Sequence, residues 1–318
     1  MRYLGLDLGG TNIKGAVVET TGDVPSVVWT GSEPTLAERG PDNVAETMIQ
    51  LGADAVSATG PIDGVGIGVP GLFDFATGAV IFLTNLPGPW EGYPLRSAIA
   101  GGLGVPATMI NDARAFTLAE GTVGAGRHSR TLICMTLGTG VGGGIMIDGR
   151  LHFGAFGTAG EIGHMTVQPG GPVCGCGNSG CLEAVTRAPV IAEAAGKETI
   201  EDVLDAVAKG DQRSIGALDT AIDHMAVGLA GLLTVFGPDR IVIGGGVAAA
   251  GDVLFDRIRA AVRSKVTLVP PEKVEIVPAE LGPEAGAIGS ALAAVAAPSA
   301  DEQFMIGEIP SAAMRRDQ

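Results

Sequence analysis

Two pairs of short apolar segments stand out in the hydrophobic pattern, and each pair is joined by a turn rich in glycine. Residues 3–8 and 14–19 are predicted as strands on either side of the turn 9–12, which reads Gly-Gly-Thr-Asn. Residues 131–137 and 142–148 repeat this arrangement around Gly-Thr-Gly, about 130 residues further along. Apolar runs of this length bounded by glycine are typical of buried strands. The repeat predicts two similar lobes facing one another, each with its own glycine turn.

Helical and strand-like patterns alternate through the rest of the chain, which is typical of an α/β fold. Helices are predicted at residues 41–58, 94–100, 113–122, 188–195, 200–207, 214–236, 251–264 and 284–296. Further strands are predicted at residues 24–30, 65–69, 108–110, 240–243 and 274–278. We expect a small lobe at residues 1–110 that helix 284–297 completes, a large lobe at residues 111–283, and a loosely ordered tail at residues 298–318.

The glycine turns join strand to strand, whereas a Rossmann motif or a P-loop needs a helix directly after its glycines. Backbone N–H groups in a hairpin turn can nevertheless face a phosphate group. Asp7 lies at the mouth of the first turn, where its carboxylate could hold Mg2+, and Thr11 adds a hydroxyl. A third cluster, at residues 244–246, follows a strand and could let a flat base or ribose lie against bare backbone. Glycine turns also occur in hairpins for conformational reasons alone, so both interpretations stay open.

Three cysteines form a compact motif on a glycine-rich loop. Cys174, Cys176 and Cys181 have C-x-C-x4-C spacing, and His164 is the nearest histidine. Zinc takes four tetrahedral ligands from thiolates and imidazoles, so this set predicts a closed, structural zinc site. The alternative, a disulfide with one leftover thiol, is less favoured because the loop holds an odd number of cysteines and no signal-peptide pattern is present.

Two acidic residues, Glu161 and Glu183, bracket the cysteine loop. Acidic side chains on both sides of a metal loop suggest that the metal holds something polar in place. Loop carboxylates that are merely solvated are equally common, and spacing alone does not separate the two interpretations.

Asn111 and Asp112 come at the end of a predicted strand and directly before a predicted helix. The dipole of the helix favours an ionised carboxylate at this position, which suits a catalytic group. Either residue could instead serve only as the N-cap of the helix, and from the local sequence alone the N-cap is the better interpretation.

Composition limits the class of function. The 318 residues are 46% hydrophobic and 17% charged, as in an ordinary soluble enzyme with room for two lobes. A net charge of −15 repels nucleic acid and anionic membranes, so we expect neither as a partner. No signal-peptide pattern opens the chain, and its apolar runs are too short for a membrane span. We therefore expect a reduced, cytoplasmic setting.

Five motifs occur together and in order: Asp7-x-Gly9-Gly10-Thr11, Val69-Pro70-Gly71, Asn111-Asp112, Gly160-Glu161-x-x-His164, and C-x-C-G-x-x-G-C-x-E from Cys174 to Glu183. In this combination the chain resembles the ROK family, which contains bacterial glucokinases, other sugar kinases and sugar-responsive repressors. The resemblance covers residues 1–296, and the cysteine motif is its most specific part. It implies a two-lobed, actin-like and ribonuclease-H-like ATPase fold with a structural zinc loop at residues 164–181, and with sugar and ATP in the cleft between the lobes.

The resemblance also implies roles for individual residues. Asp112 would be the catalytic base, and the sugar would be bound by Asp112 together with Gly71, Asn111, Glu161, His164 and Glu183. Zinc would be held by His164, Cys174, Cys176 and Cys181. The phosphates of ATP would lie against Gly9, Gly10, Thr11, Gly138 and Thr139, the adenosine against Gly245, and Mg2+ near Asp7.

ATP-dependent phosphorylation of a hexose at its 6-hydroxyl, with glucose as the default, is the function that the resemblance favours. A kinase for N-acetylmannosamine, N-acetylglucosamine, mannose, fructose or a cyclitol stays open as an alternative. A non-catalytic sugar sensor is less favoured, because the family's repressors carry a DNA-binding domain ahead of the first glycine turn and Asp7 leaves no room for one. Polyphosphate is a less favoured donor, since relatives that use it generally lack the cysteine motif.

Two further expectations concern assembly and the metal. We expect a homodimer or a homotetramer. The glycine turns lie far from the cysteine loop in sequence, so loss of zinc should weaken sugar binding much more than ATP binding.

Overall fold

The computed structural model of the protein describes residues 1–21, 24–84 and 86–296. Its strands are β1 (Arg2–Leu8), β2 (Asn12–Glu19), β3 (Ser26–Pro34), β4 (Gly64–Val69), β5 (Gly71–Phe73), β6 (Val80–Leu83), β7 (Ala107–Asn111), β8 (Thr131–Leu137), β9 (Val141–Ile147), β10 (Arg150–Leu151), β11 (Arg240–Gly244) and β12 (Glu275–Pro278). Its α-helices are α1 (Pro41–Thr59), α2 (Leu95–Leu103), α3 (Asp112–Thr122), α4 (Leu182–Thr186), α5 (Ala188–Ala195), α6 (Ile200–Ala208), α7 (Gln212–Phe236), α8 (Asp252–Lys265) and α9 (Ala285–Ala296). The predicted tail at residues 298–318 lies outside the described residues, as does the last residue of the predicted helix 284–297.

The predicted helices and strands are confirmed, most of them to within two residues at each end. The sequence missed three short features, namely the hairpin of β5 and β6, the strand β10 and the helix α4. Each of these elements has five residues or fewer, which is too short for a hydrophobic period to show.

Capping residues explain where several helices begin. Thr199 precedes α6 and forms a capping box with Asp202, in which each side chain meets the backbone N–H of the other. Asp211 accepts a hydrogen bond from the backbone of Ser214 and so caps α7. The first residue of α1 is Pro41, whose missing N–H would have no partner at that position.

Contacts within the chain divide it into two compact units. Unit 1 contains Met1–Val123, Leu151–Ala159 and residues 281–296 of the described chain, and unit 2 contains Gly124–Arg150 and Gly160–Glu280. The division falls after α3, whereas the sequence predicts it at residue 110, before this helix. Helix α3 belongs to unit 1 because it packs tightly on α9, where the backbone of Gly289 meets the carbonyl group of Ala115.

The sheet of unit 1 has the strand order β3-β2-β1-β4-β7. Strands β1, β2 and β3 are antiparallel neighbours, and β1, β4 and β7 are parallel. The carboxyl ends of the parallel strands therefore meet at one edge, which is where ligands bind in sheets of this kind. The register places Asp7 opposite Gly68, and Val69 opposite Asn111.

The sheet of unit 2 repeats this plan in the order β10-β9-β8-β11-β12. Strand β8 is antiparallel to β9 and parallel to β11, which is parallel to β12. The turn at residues 138–140 joins β8 to β9 as the turn at residues 9–11 joins β1 to β2. The repeat predicted from the glycine turns is thus present in the strand order of the two units.

The backbone of helix α9 packs directly against the backbone of the sheet of unit 1. A Cβ atom placed on Gly5 of β1 would lie 1.8 Å from the carbonyl oxygen of Ala287. One placed on Gly66 of β4 would lie 1.7 Å from the carbonyl oxygen of Ser290. Only glycine leaves room for the helix at these two positions, so α9 completes unit 1 from the far end of the sequence.

Helix α7 lies in the core of unit 2. Its buried face carries Leu218, Ile222, Met225, Leu229 and Leu233. Among the described residues, α7 is the one helix long and apolar enough, by length and composition, to cross a membrane. More than half of the most apolar 18-residue stretch of α7 is buried within the protein, which is the arrangement expected of a core helix.

Candidate functional site: two sheet edges and a cysteine cluster

Thr35, a fully buried residue just after β3, supports the first glycine turn through two hydrogen bonds. The Thr35 hydroxyl donates to the carbonyl oxygen of Gly9 over 2.7 Å, and its backbone N–H donates to that of Thr11 over 2.9 Å. The N–H of Gly9 donates across the turn to Asn12. Gly10 and Thr11 are exposed, so the turn is supported on one side and open to solvent on the other.

Asp7 lies beside this turn in a crowded, partly buried position. A Cβ atom on Gly286 of α9 would lie 2.3 Å from its Oδ2 atom, so the helix backbone passes directly over the carboxylate. Burial and, after it, repulsion from the Asp112 carboxylate raise the pKa of Asp7 to about 7, while Lys14 acts in the opposite direction. Two carboxylates that disfavour each other's ionisation make a position where a cation would be bound favourably.

Asn111 caps α3. Its Oδ1 atom accepts hydrogen bonds from the backbone N–H groups of Ala113 at 3.1 Å and Arg114 at 3.3 Å. Asp112 is the first residue of the helix and lies half-buried at the edge of the sheet, where its Oδ1 accepts from the N–H of Ala113 at 2.8 Å. Asn111 is therefore the N-cap of α3, and the adjacent carboxylate of Asp112 remains the candidate for chemistry.

Gly71 reaches the same edge through the β5–β6 hairpin that the sequence did not predict. Its φ of 145° and its pairing with Leu83 bring its backbone so close to Phe82 that a Cβ atom would lie 2.2 Å from the Phe82 carbonyl oxygen. The side-chain amide of Asn111 donates to the Gly71 carbonyl oxygen over 3.5 Å. In unit 1 the structure thus gathers Asp7, the turn at residues 9–11, Gly71, Asn111 and Asp112 at one sheet edge.

The predicted metal ligands of unit 2 form one cluster. The ligand atoms of His164, Cys174, Cys176 and Cys181 all lie within 4.8 Å of one another. The Cys174 sulfur is 3.6 Å from Nδ1 of His164, and the sulfurs of Cys176 and Cys181 are 3.7 Å apart. A tetrahedral ion bound at zinc-like distances would separate two sulfurs by about 3.8 Å and a sulfur from a nitrogen by about 3.6 Å.

The four residues therefore fit a four-coordinate metal ion. The alternative of a disulfide within the loop is wrong for this structure, in which Cys174, Cys176 and Cys181 are all thiols.

Backbone hydrogen bonds hold the cysteine loop against the segment that carries His164. The N–H of Leu182 donates to the carbonyl oxygen of Met165, and that of Val167 donates to Gly180, each over 2.9 Å. Within the loop, the N–H of Cys174 donates to Asn178 over 2.8 Å. These contacts bring His164 to Cys174, which lies ten positions further along the chain.

Burial raises the pKa of the Cys174 thiol to about 12 and raises the pKa of Cys181 in the same direction. A hydrogen bond from the backbone of Asn178 lowers the pKa of Cys176, which is exposed. The two buried thiols are thus protonated at neutral pH in the absence of a metal. A metal ion that binds them as thiolates would release protons, so metal affinity should fall as the pH falls.

Glu183 contacts the second glycine turn, a relationship that sequence reasoning missed. Its Oε2 atom accepts a hydrogen bond from the backbone N–H of Val141 over 2.9 Å, and a Cβ atom on Gly140 would lie 2.7 Å from the same oxygen. Its Oε1 atom is 3.7 Å from the Cys174 sulfur. Glu183 therefore lies between the cysteine cluster and the turn at residues 138–140.

Gly245 lies at the end of β11 against the second glycine turn. A Cβ atom there would be 2.2 Å from the carbonyl oxygen of Leu137, the residue directly before Gly138. Gly245 has a φ of 89°, and both it and Thr139 are exposed. The structure thus brings the predicted phosphate and adenosine positions of unit 2 together at the carboxyl edge of its sheet.

Glu161 and Arg114 complete the candidate set. Glu161 is exposed and precedes a short 3-10 turn, Ile162–His164, in which the N–H of His164 donates to the Glu161 carbonyl oxygen over 3.1 Å. Arg114 was not predicted, although a charged residue among the apolar positions of helix 113–122 is a visible signal. It is buried, and its contacts include residues 153 and 159.

Comparison with known proteins identifies the family. The sequence profile of the ROK family matches residues 3–297. Glucokinase from Thermotoga maritima is 35% identical over 317 residues, which cover 92% of this chain and 96% of that protein. A putative xylose repressor from a Caldicellulosiruptor species is 27% identical and aligns with 90% of this chain, which spans 76% of the repressor.

Solved structures of the family are similar throughout. The ROK hexokinase from Thermus thermophilus has a TM-score of 0.82 at 33% identity, with 92% of this chain and 97% of that chain covered. A ROK family glucokinase from Streptomyces griseus, solved in complex with glucose and AMPPNP, has a TM-score of 0.78 at 29% identity, with 92% and 98% covered. The match extends over both units of the α/β fold, and the chain belongs to the ROK family.

Proposed function

We propose that this protein is an ATP-dependent hexose kinase that phosphorylates glucose at its 6-hydroxyl, with its two units as the lobes of an actin-like ATPase fold. The observation that carries the proposal is the position of Asp112, a carboxylate at the sheet edge beside Asp7 and the turn at residues 9–11. Family members that align along nearly their whole length are named as glucokinases, and one was solved with glucose and an ATP analogue.

Asp112 is the proposed general base. A sugar hydroxyl is a weak nucleophile, and a carboxylate within hydrogen-bond reach accepts its proton as the oxygen attacks the γ-phosphorus. The new bond joins the 6-oxygen to phosphorus, the bond from phosphorus to the β–γ bridging oxygen breaks, and ADP leaves. Asn111 supports this step by capping α3, which holds the backbone of Asp112 at the end of β7.

The proposed ATP contacts are the two glycine turns and the end of β11. Backbone N–H groups at Gly9, Gly10, Thr11, Gly138 and Thr139 would face the phosphates, and Gly245 would lie beside the adenosine. Mg2+ bound with the nucleotide would neutralise phosphate charge, and Asp7 is the residue that would hold it, directly or through water. The repulsion between Asp7 and Asp112 supports this assignment, since a cation would relieve it.

The proposed sugar contacts in unit 2 depend on the cysteine cluster. Glu161, His164 and Glu183 would bind sugar hydroxyls, with Gly71 and Asn111 doing so from unit 1. We assign the metal as Zn2+ because three thiolates and one imidazole, with the measured separations, match its tetrahedral preference. Since Nδ1 of His164 faces the cysteines, Nε2 remains for a sugar oxygen, and the metal would fix the direction of the ring.

Purified protein incubated with ATP, Mg2+ and a panel of sugars tests the proposal, with ADP release as the measurement. We expect glucose to give the highest kcat/KM, and mannose, fructose, the N-acetylhexosamines and a cyclitol to give less. Asp112→Asn is the matched control and should lower the sugar-dependent rate of ADP release by at least about 100-fold. Sugar binding without ADP release from the unmodified protein would contradict the kinase assignment and favour a sensor. Turnover that requires polyphosphate in place of ATP would overturn the choice of donor.

A further inference from the structure

Arg114 is a buried arginine in the first turn of α3, two residues after Asp112. Its exposed fraction is 4%, which is rare for arginine because removing a guanidinium group from water is costly unless the group finds strong partners. A buried charge so close to the proposed catalytic base indicates a specific role.

Two partners of the Arg114 side chain lie in one short segment of chain. Its Nη2 atom donates to the carbonyl oxygen of Ala159 over 3.3 Å, and its guanidinium carbon lies 5.9 Å from the centre of the Phe153 ring. The second contact is within the range of a cation–π interaction. Phe153 and Ala159 both belong to Leu151–Ala159, a segment that packs with unit 1 although the chain on either side of it belongs to unit 2.

Most of the segment forms a closed loop. The backbone N–H of Ala159 donates to the carbonyl oxygen of Phe153 over 3.0 Å, which closes residues 153–159. Phe153 is buried, and Leu151 packs on the small core cluster formed by Ile110, Ala115 and Ala293. Arg114 thus touches both ends of the loop, and its side chain holds the last residue before the chain returns to unit 2.

The residues that follow are the proposed sugar-binding residues. Ala159 is one residue from Gly160, which has a φ of 92° and packs closely on Gly144 of β9. The chain then runs directly into Glu161 and the 3-10 turn that carries His164. Consecutive Cα atoms are about 3.8 Å apart, so little slack separates the anchored residue 159 from Glu161.

We propose that Arg114 is a positioning residue for sugar binding, which rests on the proposed function above. Its backbone N–H donates to the Asn111 side chain that caps α3. Its side chain anchors the segment that leads into Glu161 and His164. One residue therefore supports the helix that carries the base and the chain that carries the sugar ligands. Arg114 touches neither substrate in this scheme; it acts through the residues that do.

Arg259 offers a matched control in unit 2. Its guanidinium carbon lies 5.7 Å from the centre of the Phe255 ring, and its Nε and Nη2 atoms donate to the carbonyl oxygen of Ile276 over 3.0 and 2.8 Å. These are the same kinds of contact as those of Arg114, and they are made to α8 and β12 instead of the loop before Glu161. Arg114→Met and Arg259→Met remove the charge and keep most of the apolar stem.

The test compares initial rates for Arg114→Met, Arg114→Lys and Arg259→Met with sugar and ATP varied in turn. We expect Arg114→Met to raise KM for the sugar about 10-fold and to lower kcat, since misplaced binding groups cost both, while KM for ATP changes less than about 2-fold. Arg114→Lys should recover much of the loss, because a lysine restores a donor and a cation. Arg259→Met should lower the melting temperature and leave KM for the sugar unchanged.

Hydrogen exchange gives a measurement that does not depend on turnover. The amides of Ile162 and His164, which donate within the 3-10 turn over 2.7 and 3.1 Å, should exchange faster in Arg114→Met than in Arg259→Met. Equal exchange in the two variants, or equal effects on KM for the sugar, would overturn the positioning role. If the unmodified protein releases no ADP with any sugar, the proposed function fails, and the exchange comparison still decides the role of Arg114.

Discussion

The carboxylate of Glu183 accepts a hydrogen bond from the backbone N–H of Val141, at 2.9 Å, and so joins the end of the cysteine motif to the second glycine turn. Ala188, at the start of α5, adds a second link, because its N–H donates to the carbonyl oxygen of Gly138 over 2.8 Å. From the sequence we expect loss of the metal to weaken sugar binding much more than ATP binding. The structure connects the cysteine cluster and the turn through α4 (Leu182–Thr186), which follows Cys181 directly and carries Glu183.

We therefore predict that Glu183→Ala raises KM for ATP as well as KM for the sugar. The alanine removes the acceptor for Val141 and leaves the turn at residues 138–140 without its support. Glu183→Gln keeps an oxygen that can accept this hydrogen bond, so its KM for ATP should stay within about 3-fold of the original value. Initial rates with each substrate varied in turn measure both effects. An unchanged KM for ATP in Glu183→Ala would show that the link does not support nucleotide binding.

Cys176→Ala should remove the metal from the cluster. The residue is exposed, so the substitution creates no cavity, and three remaining ligands bind zinc far more weakly than four. Metal content should fall to near zero, and KM for the sugar should rise by about 10-fold as His164 loses its fixed direction.

Cys134→Ala is the control for this experiment, because Cys134 is fully buried in β8 and lies outside the metal cluster. It should retain the metal and lose some stability. A metal-free Cys176→Ala protein that binds sugar normally would contradict a structural role for the metal. One that binds sugar normally and transfers no phosphate would indicate a catalytic metal instead.

Asp112→Asn should lower kcat by at least about 100-fold, the usual effect of losing a general base. The asparagine keeps an oxygen that can accept from the N–H of Ala113, so α3 should stay folded, and the affinity for sugar should change little. Circular dichroism and sugar titration establish that the variant is intact. A kcat within a few-fold of the original would mean that another group accepts the proton.

The raised pKa of Asp7 predicts how stability depends on pH. A carboxyl group that binds its proton more tightly in the folded than in the unfolded protein contributes stability below pH 4, and this contribution is lost as the pH rises towards 7. We compare the free energies of unfolding of the original protein and of Asp7→Asn in buffer without Mg2+. The value for the original protein minus that for the variant should fall between pH 5 and pH 7, as urea unfolding would measure.

Asp219→Asn serves as the control for this pH effect, since Asp219 pairs with Arg257 at the surface. Its difference from the original protein should be nearly constant over the same range. A constant difference for Asp7→Asn as well would show that Asp7 titrates at its ordinary pKa.

The parts of the site that lie at strand ends could be predicted from the sequence. Asp7, Asn111 and Gly245 each lie at or close to the end of an apolar run, and the end of such a run locates a residue at the sheet edge without knowledge of its neighbours. Contacts between distant segments could not be predicted. Glu183 and Val141 are 42 residues apart, and nothing in local periodicity specifies that one side chain meets one backbone group.

Arg114 and Gly71 show the same limit in different ways. One partner of Arg114, Ala159, is 45 residues away, in a segment whose membership in unit 1 depends on tertiary packing. Gly71 was predicted from the family resemblance, but the hairpin that places it has strands of three and four residues, below the length at which a pattern is visible.

Gly289→Ala should destabilise the protein by about 1–3 kcal/mol, the usual cost of overpacking a tight contact. A Cβ atom at this position would lie 1.7 Å from the carbonyl oxygen of Ala115, and backbone on both sides leaves little room to adjust. Gly216→Ala is the matched control, because Gly216 lies on the exposed face of α7 and, apart from the adjacent backbone of α7 itself, no described atom lies within 4 Å of the added carbon. It should stabilise the protein by about 0.5–1 kcal/mol through helix propensity. Denaturant unfolding of the two variants measures the difference.

The dependence of unit 1 on α9 also constrains how the protein is made. Residues up to Val123 leave the ribosome first, yet the helix that covers β1 and β4 follows the whole of unit 2. At about 5–20 residues per second, roughly 10 to 35 seconds of translation separate residue 123 from residue 296. During this interval the glycine-lined face of the sheet has no native cover, while unit 2 is synthesised together with its own helices. Unit 2 should therefore be the first part of the nascent chain to become resistant to protease, and the N-terminal sheet should mature last, when the final helix arrives.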